Sequence, residues 1–250
     1  MIIIDIIIAI ICCVVSLFLQ FIPIEPLYFY NEMGSMNAPK RTEWISIQGF
    51  YALIFIFPVI VLSIMYISLV KIPSLSRFLQ MISLLIFSVS FSSIICSIIH
   101  MFIGTPRIDS VEQCRNKDIS FKVCREVLTK FETVQQFNSF PAVEPAMAMT
   151  VAIIFIFFIE MPHGFSFVEM ILKFALITWG LLIASIYTAN SSYRIQDVIA
   201  GVFIGFIVGV VTIFTFKKNI EQEENAKIND RDYTDASSDA SFRISRPKLF

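Results

Sequence analysis

The sequence predicts an all-α integral membrane protein built as a bundle of six transmembrane helices. Two observations carry the class. Hydrophobic residues make up 56% of the 250-residue chain, and the mean hydropathy is +0.76. Charge is scarce and segregated: of 19 basic and 20 acidic residues, the last 34 positions hold 14, leaving 25 in the first 216. Soluble domains carry charge on roughly a quarter of their residues. The body is about twofold poorer than that, which excludes an ordinary soluble enzyme, a disordered protein and a nucleic-acid-binding domain.

The number of helices follows from apolar run length. A bilayer core of about 30 Å needs about 20 apolar residues per helix. Six runs meet or approach this: about 2–22, 46–70, 78–103, 146–162, 167–189 and 197–216. They are continuous and long, without the alternation of a membrane barrel strand. The first run begins at Met1 without a basic n-region, contains Asp5 and lacks a small-residue cleavage site, so it reads as a span and not a removed signal peptide. The tail 217–250 mixes seven basic and seven acidic residues with Ser and Asp clusters and reads as disordered.

Six spans put both termini on one side and loops 23–45, 104–145 and 190–196 on the other. Positive-inside counting would place loop 104–145 in the cytosol. Its two cysteines, Cys114 and Cys124, argue for an oxidising compartment, where they could bridge. Composition leaves the orientation open. Cys12, Cys13 and Cys96 lie inside apolar runs, as buried structural thiols do. In the last span Gly201, Gly205 and Gly209 share one helix face, which suits close helix packing or a homo- or hetero-oligomer contact.

Ionisable residues at a span are costly and point to function. His100 ends the third run, Arg107 follows Gly104 and Pro106, Glu144 begins the fourth run, and Tyr193 and Asp197 flank the start of the sixth. All five fall on one side of the six-span arrangement. Taken singly, each is an ordinary interfacial residue; Asp197 also suits a helix N-terminus, where the dipole favours an anion by about 0.3–1 kcal/mol.

At these residues the chain resembles the lipid phosphate phosphatases, the membrane branch of the phosphatidic acid phosphatase type 2 family. The similarity covers most of residues 20–216. The family's first signature runs from a Lys to Arg-Pro; here the stretch reads His100-Met-Phe-Ile-Gly104-Thr-Pro-Arg107. The second, Ser-Phe-Pro-Ser-Gly-His, reads Ser139-Phe140-Pro141-Ala142-Val143-Glu144. The third ends in His, three residues, Asp and Val-x-Ala-Gly. Here Ser191-Ser192-Tyr193 precedes Asp197-Val198-Ile199-Ala200-Gly201, with about five residues of the family's loop missing. The segment from Phe29 to Thr42, with Pro39-Lys40, is similar to the family's first outer loop.

The resemblance implies a six-helix bundle of that type over 1–216, cytoplasmic termini, and the signatures on the extracytoplasmic or lumenal side of the plasma membrane or endoplasmic reticulum. It makes Cys114–Cys124 a disulfide, contributing on the order of 3 kcal/mol for so short a loop. In the family a histidine attacks phosphorus, an aspartate orients it, a second histidine protonates the leaving alcohol, and Lys and Arg clamp the phosphate. Carried over by position, Asp197 is the orienter and Arg107 a clamp. Tyr193 stands at the nucleophile, Glu144 at the acid, Ser192 at the second clamp Arg and His100 at the Lys; Ala142-Val143 replaces Ser-Gly. His163 lies in loop 163–166, on the opposite face.

Glu144 could serve as an acid if burial raised its pKa. Tyr193, with an ordinary pKa of about 10, needs activation to be a nucleophile. An anionic Glu144 beside a phosphate dianion also repels it. The sequence is therefore read as a degenerate member: a non-catalytic protein binding a phosphatidate-like membrane lipid or a membrane partner, with Arg107 and His100 as head-group contacts. The alternatives are an active phosphatidate phosphatase and an unrelated small channel or transporter. No cofactor, metal or nucleic acid enters the reading.

Overall fold

In hydrocarbon every backbone N–H and C=O must be paired within the protein, and continuous apolar sequence answers with continuous helix. The computed structural model describes residues 2–21, 28–29, 49–50, 52–56, 58–60, 63, 75–107, 114, 124, 126–129, 132–133, 136–158, 166–189 and 193–218. Five helices carry the fold: α1 (Ile2–Phe21), α2 (Leu75–Phe102), α3 (Val143–Phe158), α4 (Ser166–Ala189) and α5 (Ile195–Lys218). Between α1 and α2, residues 49–50 and 58–60 are helical and Ala52–Ile56 forms a π-helical turn.

Hydroxyls along these helices fold back on their own backbone. Ser88 donates to the Leu84 carbonyl at 2.7 Å, Thr150 to Ala146 at 2.9 Å and Thr188 to Ala184 at 3.1 Å. This internal pairing lets an apolar helix carry polar residues without presenting a bare donor to lipid. Pro145 sits in the first turn of α3, where a missing N–H removes no helical bond. On α4, Lys173 pairs with Glu169 one turn earlier.

The chain divides into two compact units, Met1–Val210 and Val211–Phe250. The first holds the core. Phe50, Ile54, Leu85, Val89, Met147, Val151, Ile154, Phe155, Ile183, Tyr187 and Val198 form one buried cluster. Around it α1 packs on α2, α2 on α3, and α3 on α4. α1 turns Ile3, Ile7, Ile10, Val14 and Phe18 outward, and α5 does the same with Ile199 and Phe203. Bare apolar surface of this extent is what lipid covers. In the second unit Thr215 donates to Val211 at 2.9 Å, and Lys217 and Lys218 are exposed. The remainder of the tail read as disordered lies outside the described residues.

Among the described residues three helical stretches are long and apolar enough to cross a membrane: Phe78–Phe102, Glu169–Ala189 and Ile195–Lys218. Ile3–Leu19 and Val143–Phe158 are apolar but shorter. The predicted run 46–70 lies mostly outside the described residues, as do the last residues of 146–162. Besides helix, the described residues hold a two-residue parallel pairing, Tyr28–Phe29 with Ile103–Gly104, and a bridge between Thr105 and Asn138. It sets Tyr28 and Phe29, at the start of the predicted first outer loop, against the end of α2.

The glycine face of α5 lies against α3 of the same chain. A Cβ on Gly201 would stand 2.2 Å from the Ala142 carbonyl oxygen, and one on Gly205 would stand 2.1 Å from that of Ala146. On Gly209 it would meet the Ile153 Cβ at 2.8 Å. The backbones touch, and Thr150 reaches across to the Gly205 carbonyl at 3.2 Å. The face offered in the sequence for an oligomer is thus occupied within the chain. Gly205→Ala is expected to lower stability by about 1–3 kcal/mol, the usual cost of overpacking. Phe203→Leu, on the exposed side of the same helix, is expected to be near neutral. Thermal unfolding in detergent, followed by tryptophan fluorescence, checks both.

Candidate functional site

The site begins with Asp197, 1% exposed and in the first turn of α5. A buried carboxylate is tolerable only when it is hydrogen-bonded or paired. Asp197 accepts from the Ser139 hydroxyl and, at 3.4 Å, from the Arg194 backbone N–H at the helix start. The second contact is one half of a capping box, the side chain reaching back to the residue that begins the helix. The positive charge of Arg194, itself only 7% exposed, acts on the same carboxylate. The Asp197 backbone carbonyl takes the Ala142 N–H at 3.0 Å.

Those contacts lock the segment before α3 onto α5, and further bonds lock it onto the end of α2. Arg107 N–H donates to the Gln136 carbonyl at 2.8 Å, and Ser139 N–H to that of Thr105 at 3.1 Å. His100 Nε2–H donates to the Pro141 carbonyl at 2.8 Å. The head-group contact expected of His100 is therefore directed into the protein, where the side chain is buried. The peptide bond between Phe140 and Pro141 is cis.

The second half of the site is a three-residue stack. The Tyr193 hydroxyl donates to Glu144 Oε2 at 2.7 Å, and the Arg107 guanidinium carbon lies 4.8 Å from the centre of the Tyr193 ring. Behind it, Tyr193 packs on Tyr187 at 6.0 Å between ring centres, and Tyr187 on Phe50 edge-to-face at 5.5 Å. Burial first, and then the Glu144 carboxylate, push the Tyr193 phenol well above its ordinary value, against the opposing pull of Arg107. A phenol so held keeps its proton through the neutral range and is a poor nucleophile.

The structure thus gathers residues from the ends of α2, α3 and α5: His100, Arg107, Glu144, Tyr193 and Asp197. It does not join Asp197 to Tyr193 by a hydrogen bond; the Asp197 contacts go to Ser139 and Arg194. Ser192 lies outside the described residues. Cys114 and Cys124 form a disulfide. The residue the sequence reading passed over is Arg194. The signal was its place three residues before Asp197, the offset at which a helix-start residue meets its capping carboxylate. Among the described residues, no group of three or more His, Cys, Asp or Glu could hold a metal ion.

A family model described as the PAP2 superfamily matches residues 82–221, more than half of the chain. Comparisons with curated proteins and with solved structures give no match. Ser139→Ala removes a hydroxyl donor from a buried carboxylate, and is expected to cost about 1.5–3 kcal/mol. Chemical denaturation of the detergent-solubilised variant against the unmodified protein measures it; a change below about 0.5 kcal/mol would show that Ser139 does not support Asp197.

Proposed function

The chain belongs to the PAP2 superfamily, and on that premise we propose that it retains the family's lipid-facing pocket without the hydrolytic chemistry. It is a six-span membrane protein that binds a lipid phosphate or a membrane partner at the end where α2, α3 and α5 meet. This end faces the extracytoplasmic or lumenal side, with both termini in the cytoplasm.

The observation that carries the reading is the hydrogen bond from Tyr193 to Glu144, beneath Arg107. Cleavage through a covalent phospho-enzyme needs an activated nucleophile and an acid for the leaving alcohol. The side chains at those two positions are bonded to each other, and the phenol at the nucleophile position is driven away from ionisation. Arg107 and Arg194 supply positive charge, but Glu144 and Asp197 offset it in the same space. A phosphate dianion meets less net attraction there than a phosphatase needs.

The unmodified protein, purified in detergent, is expected to release no phosphate from phosphatidate above the level of a boiled control. Clear turnover, abolished by Tyr193→Phe, would overturn the reading. The proposed side of the membrane is supported by the Cys114–Cys124 disulfide, because such bonds persist in oxidising compartments. In native membranes neither cysteine is expected to react with a maleimide until reductant is added; prompt labelling of both would place the loop in the cytosol.

A further inference from the structure

We draw no further inference here: the strongest candidate, the groove along the first half of α4 lined by Glu169, Met170, Lys173, Phe174 and Ile177, carries nothing because Lys173 already pairs with Glu169 and nothing in the structure shows what covers its apolar wall.

Discussion

Asp197 is the point on which the membrane-edge architecture rests. Taking a carboxylate out of water costs several kcal/mol, and the chain offsets that with the Ser139 hydroxyl, the Arg194 backbone N–H, the nearby Arg194 charge and the N-terminal end of α5. Each of these partners belongs to a segment that would otherwise be an unsupported loop. Through Ser139 and Ala142 the carboxylate and its own carbonyl hold the approach to α3. Through Arg194 they begin α5. The carboxylate and its carbonyl thereby hold two helix starts together.

The close approach of α3 and α5 is the complementary constraint. Gly201 and Gly205 leave no room for a Cβ between the backbones, so the first turns of the two helices lie side by side. Glu144 and Tyr193, 49 residues apart in the chain, consequently meet at hydrogen-bonding distance. Close packing of small residues substitutes for the hydrophobic drive that lipid cannot supply between helices. The same packing places the Tyr193 ring under Arg107, which arrives from the end of α2.

Membership of the PAP2 superfamily and the non-catalytic reading proposed above are compatible because fold and site answer to different residues. The bundle needs apolar length, small residues at crossings and capped helix ends. Phosphoryl transfer needs in addition a nucleophile, an acid and a surplus of positive charge. In the proposed reading, Tyr193, Glu144 and the hydrogen bond from the Arg194 N–H to Asp197 serve the first set of demands and not the second.

Run length and residue order along the chain settle local features. Apolar run length marks the helices and the membrane, and the clustering of His100, Arg107, Glu144, Tyr193 and Asp197 at run ends marks one end of the bundle as polar. The stretches His100–Arg107, Ser139–Glu144 and Ser191–Gly201 together carried the resemblance to the family. The tertiary structure alone decided what those side chains touch: His100 the Pro141 carbonyl, Tyr193 the Glu144 carboxylate, Asp197 the Ser139 hydroxyl. It also brought in Arg194, which in the sequence was one basic residue among nine in the loops of that side, and placed the glycine face of α5 against α3. Helix formation depends on neighbours a turn away and is written in periodicity and run length. The partner of a buried polar group is set by packing between segments 40 to 60 residues apart, and no local pattern encodes it.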